Sequence, residues 1–261
     1  MIVAFLISLL AGLTTVIGGV LATHRRMRER AFIAVSLAFA AGAMVFVSFT
    51  QVIPTGVDLL AEFMDEKQAL LAVYAAFFAG VLLVLAIDRI LPQSLNPSEI
   101  EGDEGKTKIN KRLLRSGVLV AGVLALHNFP EGMSTFVASY QDMSLGIILA
   151  VAIAVHNIPE GIAVAAPIYA ATRSRARAIK WALISGLTEP LGALVAIGLI
   201  ALAFPTDIFG VLFGLVAGMM VFISLDELLP AARRYQTKPH QSIYGMFGGM
   251  LVVAVSVLLM I

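Results

Sequence analysis

Long apolar runs recur along the whole chain, and they limit its fold more than any other feature. Several of them reach or approach the roughly 20 residues that an α-helix needs to cross a bilayer. They cover about residues 2–22, 31–53, 69–91, 116–138, 144–169, 181–203, 208–230 and 243–261. Only 13% of the residues are charged, against roughly 25% in soluble domains. The sequence therefore predicts an all-α integral membrane protein with eight transmembrane helices, called spans 1 to 8 below.

The positively charged residues predict how these spans are oriented. Under an eight-span arrangement, all of the 18 lysines and arginines except Lys67 fall on one side of the membrane. By the positive-inside rule that side is cytoplasmic, so both termini are expected on the extracytoplasmic side of a cytoplasmic (inner) membrane. The one long linker, at about 92–115 between spans 3 and 4, then lies in the cytoplasm. We predict a single transmembrane domain over residues 1–261.

Segments of the first three spans recur in the last three. The letters AGAMVFVS at 41–48 in span 2 return as AGMMVFIS at 217–224 in span 7, and the two helices are expected to end at Pro54 and Pro230. Spans 1 and 6 share the letters GLT, and spans 3 and 8 share a Tyr and a Phe three residues apart. Since the repeated spans cross in opposite directions, we predict a 3+2+3 arrangement with an inverted repeat of helices 1–3 and 6–8. Such repeats are typical of transporters.

A six-residue word, His-Asn-x-Pro-Glu-Gly, occurs twice inside apolar sequence, once in span 4 and once in span 5. It begins at His127 and again at His156. Residues four apart lie on one face of a helix, so each histidine stands beside a carboxylate, Glu131 or Glu160. An ionisable group at mid-bilayer costs at least about 2.5 kcal/mol on insertion scales. A bound divalent cation would compensate for that cost.

The proline of each word predicts an opening in its helix. Pro130 and Pro159 have no backbone donor, so the carbonyls of Leu126 and Val155 lose their helical partners. Only a few residues join spans 4 and 5, which are therefore expected to be antiparallel neighbours with converging polar faces. Span 6 adds a third carboxylate at depth, Glu189, which is followed by a proline.

The mixture of side chains predicts which ions would bind. Imidazole and carboxylate together suit Zn²⁺ and neighbouring first-row ions, whereas amide and carboxylate oxygens favour harder ions such as Mn²⁺ or Fe²⁺. The chain has no cysteine, which excludes thiolate ligands and disulfides. The alternative is that each histidine packs by hydrogen bonding and each Pro-Glu pair is a kink with a protonated acid. Two words plus Glu189 favour metal sites, because so many ionisable groups are too costly to keep for packing.

Five further residues stand where an ion pathway would need side chains. Met44, Ser48 and Gln51 lie in span 2, and helix packing is the favoured interpretation for them. Asp226 and Glu227 lie near the inner end of span 7. Ligands for a departing ion and interfacial charges are equally good interpretations of these two acids.

With both words, the glutamate-proline of span 6 and eight spans, the chain resembles the ZIP family of divalent-metal transporters over its whole length. The resemblance implies two adjacent metal sites. The first would use the histidines and glutamates of both words, His127, Glu131, His156 and Glu160. The second would use two asparagines and two glutamates, Asn128, Asn157, Glu160 and Glu189, so that Glu160 bridges the sites. The outer path of the family runs along the stretch that holds Met44, Ser48 and Gln51.

The resemblance also implies a function, the uptake of divalent metal ions into the cytoplasm. The expected ions are zinc and also iron, manganese, cobalt or cadmium, each as cargo, and no cofactor is expected. The other expected partner is lipid, and a homodimer with a second copy of the chain is left open. Nucleic acid is not expected as a partner. The rival class is a membrane-embedded zinc hydrolase, in which histidines hold a metal that activates water. The sequence counts against it, with no HExxH word and no free nucleophile beside a base.

Overall fold

The protein is helical throughout the part that its structure, a computed structural model, describes. That part comprises residues 1–24, 26, 29–90, 106–202 and 207–258, and it excludes about twenty side chains at the end of α4 and in the first two thirds of α5, among them that of His127. These ranges contain no β-strand, which confirms the predicted all-α class. Seven helical segments within them are long and apolar enough to cross a membrane. The chain is thus a multi-span membrane protein.

Eleven α-helices follow one another along the described ranges. Their bounds are α1 (Ile2–Leu21), α2 (Arg30–Val47), α3 (Ile53–Ala61), α4 (Glu66–Ile90), α5 (Lys106–Gln141), α6 (Met143–Thr172), α7 (Arg175–Gly186), α8 (Thr188–Ala201), α9 (Asp207–Ile223), α10 (Leu229–Tyr235) and α11 (Gln241–Leu258). Three pairs join end to end: α2 with α3, α7 with α8, and α9 with α10. The result is eight rods, one for each predicted span. Seven of them contain the segments that are long and apolar enough to cross a membrane, and α5 is the eighth.

Two π-helical turns join α2 to α3 and α9 to α10. In the first turn the N–H of Ile53 donates to the carbonyl of Ser48, five residues back, and the second turn repeats this pattern 176 residues later. Pro54 and Pro230 follow directly and have no N–H to donate, which favours the wider turn. Both helices then continue, so the prediction that they end at these prolines is wrong.

Helix α5 begins earlier than the hydropathy of the sequence indicates. It starts at Lys106, although the apolar run of span 4 begins at residue 116 and the predicted loop covers about 92–115. Residues 106–115 are therefore helical, and 91–105 lie outside the described ranges. Lysine and arginine are good helix formers, so a helix can extend beyond its apolar part into water. Hydropathy marks where a helix enters lipid rather than where it begins.

Helices pack backbone against backbone at glycines, most closely in four pairs: α1 with α6, α5 with α8, α2 with α11, and α4 with α9. In each pair a glycine of one helix meets a carbonyl of the other, and a second glycine returns the contact. A Cβ built at Gly18 would lie 1.9 Å from the Ile158 carbonyl oxygen, and one at Gly161 would lie 1.9 Å from that of Thr15. Small residues are what allows membrane helices to approach so closely.

The two helices that carry the words occupy the interior. A single residue, Asp142, separates α5 from α6, and its side chain caps α6 by accepting from the N–H groups of Ser144 and Leu145 at 2.8 and 3.3 Å. The two helices pack along each other, as their short connection predicts. The large apolar side chains of α1, α4 and α11 are instead exposed, in keeping with contact to lipid. The polar words therefore lie behind an apolar outer layer.

Candidate metal site

Both words continue their helices and turn their polar side chains inward. Helix α5 runs through Pro130 and α6 through Pro159, so neither proline ends its helix. Every described polar side chain of the words is at most 1% exposed: Asn128, Glu131, His156, Asn157 and Glu160. Glu189 of α8 is equally buried. The side chain of His127 lies outside the described part.

A buried carboxylate and imidazole link the two words directly. The Nε2 atom of His156 lies 3.1 Å from Oε1 of Glu131, which joins α6 to α5. With Nε2 as the donor, Nδ1 of His156 keeps a lone pair, and it is buried without a hydrogen-bond partner among the described residues. The pair therefore brings together two of the side-chain types that divalent ions prefer.

The amide of Asn157 links α6 to two further helices. Its nitrogen donates to Oε1 of Glu189 on α8 and, at 3.1 Å, to the carbonyl oxygen of Ala11 on α1. Both amide hydrogens are used in this way. Oδ1 of Asn157 and Oε2 of Glu189 are buried without a hydrogen-bond partner in the described part of the chain. Two oxygen atoms of the kind that binds metal ions thus face the interior unused.

The amide of Asn128 connects the words a second time. Its best orientation has the nitrogen donating to Oε2 of Glu160 at 3.3 Å and to the carbonyl of Leu124 at 2.9 Å. The opposite orientation gives only a long contact of 3.4 Å to the carbonyl of Ser185. The orientation of an amide is assigned from its hydrogen bonds. The bond to Glu160 therefore decides it.

A break in the rod formed by α7 and α8 places Glu189 at the site. Leu187 interrupts the helix, and Glu189 stands in the first turn of α8, where the helix dipole favours a carboxylate. The hydroxyl of Thr188 donates to the Ser185 carbonyl at 2.6 Å. A Cβ built at Gly132 would lie 1.9 Å from the Glu189 carbonyl oxygen, so the last letter of the α5 word allows α8 to approach.

Three buried carboxylates from three helices converge on one region. Glu189 lies close enough to Glu131 and Glu160 for its charge to interact with theirs. Like charges repel strongly in a low-dielectric interior, and a cation among them removes that repulsion. Among the described side chains, however, no three His, Asp or Glu residues stand close enough to hold one metal ion together. The described candidate ligands are engaged in hydrogen-bonded pairs instead.

The five predicted pathway residues lie at the end of α2 and in the two π-helical turns. Met44 and Ser48 are fully buried, and the Ser48 hydroxyl donates to the Met44 carbonyl at 2.7 Å. The same hydroxyl lies 3.6 Å from the sulfur of Met220 on α9, a contact that fits helix packing. In the two π-helical turns, Gln51 and Glu227 are partly buried and Asp226 is exposed.

Some groups at the site were missed by sequence reasoning. The carbonyls of Ala11 and Leu124 accept from the asparagines of the words, and a backbone carbonyl has no sequence signal of its own. Gly132 and Gly161, which let α8 and α1 approach, did have one, because glycine closes both copies of the word.

The fold and the site together define a multi-span membrane protein with a buried cluster of metal-binding side-chain types. The chain belongs to the ZIP family: the family model described as ZIP Zinc transporter matches residues 91–256. A zinc transporter ZupT from Streptococcus mutans is 45% identical over 258 residues, covering 99% of this chain and 97% of the relative. The relatives named zinc transporter ZupT from Corynebacterium efficiens and Oceanobacillus iheyensis are 48% and 45% identical, each covering 100% of this chain and 98% of the relative. The family is one of transporters, which excludes the hydrolase alternative.

Proposed function

We propose that this chain carries Zn²⁺ into the cytoplasm through the buried cluster on α5, α6 and α8. The observation that carries the proposal is the convergence of Glu131, Glu160 and Glu189 behind an apolar outer layer. Such a group of acids is too costly in a membrane unless a cation shares it. The names of the similar proteins agree with zinc as the cargo.

The pairing of the ligands suits an ion that must leave as well as bind. Each carboxylate has a hydrogen-bonding neighbour, an imidazole or an amide, that an arriving ion would displace. When the ion departs, the pairs can form again, so no acid is left without a partner. Conduction requires binding that is weak enough for release.

The same donors support a range of cargo wider than zinc. Carboxylate and amide oxygens also bind Fe²⁺ and Mn²⁺, and imidazole adds affinity for later and softer divalent ions such as Co²⁺ and Cd²⁺. We therefore extend the proposal to these four ions. The chain would act as a single domain. Both termini would lie outside the cytoplasm, because the distribution of the basic residues predicts that orientation.

Flux measurements on the purified chain in liposomes test this proposal. Wild type should admit Zn²⁺ in a saturable way, and Glu131→Gln and Glu160→Gln should each reduce entry about tenfold or more, because a metal loses a charged ligand. The matched control is Glu66→Gln, which removes an exposed acid in the first turn of α4. Equal flux in all four proteins would overturn the proposal. Repeating the assay with Fe²⁺, Mn²⁺, Co²⁺ and Cd²⁺ tests the range of cargo, and zinc accumulation by whole cells tests the direction.

A further inference from the structure

Helix α1 supplies none of the predicted metal ligands, yet it lies along the α6 word. The carbonyl of Ala11 accepts from the Asn157 amide at 3.1 Å. Two turns further along α1, Gly18 packs on the carbonyl of Ile158, the residue that follows Asn157. The contacts hold α1 in register with the word. Its role at the site therefore goes through Asn157.

We propose that the Ala11 carbonyl, supported by Thr14, is a positioning group that fixes which atom of Asn157 faces the ion. The inference rests on the proposed function, since it concerns the same site. It assigns a role to a helix that holds no ligand. Ala11 and Thr14 are positioning residues, because they act through the amide of Asn157.

The argument follows from the donors and acceptors of one amide. Asn157 has two N–H donors on one atom and a single acceptor oxygen on the other. The nitrogen meets two acceptors, the Ala11 carbonyl and a Glu189 carboxylate oxygen. A rotated amide would place its oxygen against both acceptors and lose both bonds. Oδ1, buried and without a hydrogen-bond partner in the described ranges, is thus fixed as the atom that the ion meets.

Thr14 holds the Ala11 carbonyl in place and ties it to α6. Its hydroxyl lies 2.6 Å from the Ala11 carbonyl oxygen and 3.2 Å from that of Ala154, three residues before Asn157. A single hydroxyl hydrogen is shared between two helices here. On the opposite side of α1, Gly12 lets the helix approach α7, because a Cβ at Gly12 would lie 2.4 Å from the Gly186 carbonyl oxygen.

The two bonds that the Asn157 amide donates, to the Ala11 carbonyl and to Glu189, form a clamp that an acid could not replace. An ionised carboxylate at position 157 has no hydrogen to donate to the Ala11 carbonyl or to Glu189. Asn157→Asp adds charge to the site and removes both anchoring bonds. If charge alone decided affinity, this variant would bind zinc more tightly, whereas the clamp predicts weaker binding.

A double-mutant cycle on the full-length chain tests the proposal. Calorimetric titration of purified protein gives the zinc affinity, and flux into liposomes gives the KM for zinc. Both are measured for wild type, Thr14→Val, Asn157→Ala and the double variant. Thr14→Val should weaken zinc binding about three- to tenfold, the value of one hydrogen bond, and should raise KM more than it lowers the maximal rate. In the Asn157→Ala background the same change should have no further effect, because the residue it acts through is gone.

The control is Thr172→Val, which removes the same kind of intrahelical hydroxyl bond, to the Ile168 carbonyl, at the far end of α6. It should leave both zinc measurements unchanged. An equal effect of Thr14→Val in both backgrounds, or no effect at all, would overturn the proposal. So would tighter zinc binding by Asn157→Asp, which tests the clamp if Thr14→Val fails to fold. Absence of zinc transport by wild type would instead contradict the proposed function, whatever the cycle gives.

Discussion

The two words are held by their neighbouring helices through the same backbone contacts. Gly132 of the α5 word meets the carbonyl of Glu189, and Gly161 of the α6 word meets the carbonyl of Thr15. Both glycine Cβ positions would lie 1.9 Å from the oxygen. Thr15 and Glu189 are 174 residues apart, the same separation as that of the letters GLT in spans 1 and 6. These contacts support the predicted inverted repeat, which stays a prediction.

The side chains at these matched positions differ in chemistry. Glu189 reaches the Asn157 amide with a carboxylate, whereas the hydroxyl of Thr15 is buried without a hydrogen-bond partner among the described residues. The asparagines differ as well, since Asn157 is anchored on α1 and Asn128 donates to Glu160. The packing is thus shared by the two halves, while the third carboxylate belongs to only one. A repeated framework can carry a site that is not itself repeated.

The largest expected effect concerns the shared packing. Gly132→Ala and Gly161→Ala should each destabilise the protein by about 3 kcal/mol, because a methyl group would collide with a backbone carbonyl that cannot move alone. Unfolding in detergent measures this. Gly198→Ala is the control, since nothing lies within 4 Å of its Cβ position, and it should be neutral or stabilising by up to about 1 kcal/mol. If the protein tolerated only one of Gly132→Ala and Gly161→Ala, the two words would not be held by equivalent contacts.

The next effect separates the chemistry of the two halves. Glu189→Gln should weaken zinc binding about 100-fold, because the ion loses a charged ligand. Residues that only hydrogen-bond to a metal ligand already contribute about 10- to 100-fold to affinity. Thr15→Val should change zinc affinity less than about twofold, and stability should be unchanged or higher, because an apolar group replaces a buried hydroxyl without a partner. Calorimetric titration and thermal unfolding give both numbers. Similar losses for the two variants would show that the halves share the chemistry too.

Acidity should affect zinc binding through the same ligands. Imidazole and carboxylate bind metal only when deprotonated, so zinc affinity should fall as the pH is lowered from about 7.5 to about 5.5. The Glu189→Gln variant exchanges one proton fewer, and its affinity should depend less steeply on pH. Titrations at several pH values measure both slopes. A steeper dependence in the variant would argue against Glu189 as a ligand.

The smallest effect lies in the two π-helical turns. Ser48 and Ser224 each donate to a methionine carbonyl four residues back, at 2.7 Å in both cases. Ser48→Ala and Ser224→Ala should each cost less than about 1 kcal/mol of stability, the usual value of such a bond. If packing is their role, zinc flux should stay at the wild-type level. A loss of flux with Ser48→Ala alone would make that residue part of the pathway.

Much of this molecule could be predicted from its sequence because lipid permits few alternatives. Apolar runs can cross a membrane only as helices or closed barrels, and their lengths matched helices. The words stood out because His127, Glu131 and their counterparts are rare at such depth. The all-α class and the burial of the acids follow from these two facts, whereas the family was indicated by the resemblance of the two words.

Other features could not be predicted because they depend on backbone contacts rather than on side-chain type. Nothing in the letters around Ala11 shows that its carbonyl meets Asn157. Pro54 was expected to end a helix, but one π-helical turn absorbs its missing donor. The early start of α5 at Lys106 was hidden because charge obscures a helix in a hydropathy pattern.

The central claim is that the buried acids form a binding site for a metal ion in transit. Anomalous diffraction at the zinc edge, from crystals grown with zinc, tests it most directly. The account predicts a zinc peak between α5, α6 and α8, within about 2.0 to 2.2 Å of carboxylate oxygens of the cluster formed by Glu131, Glu160 and Glu189. Zinc found only at exposed acids such as Glu66, with none in the cluster, would contradict it.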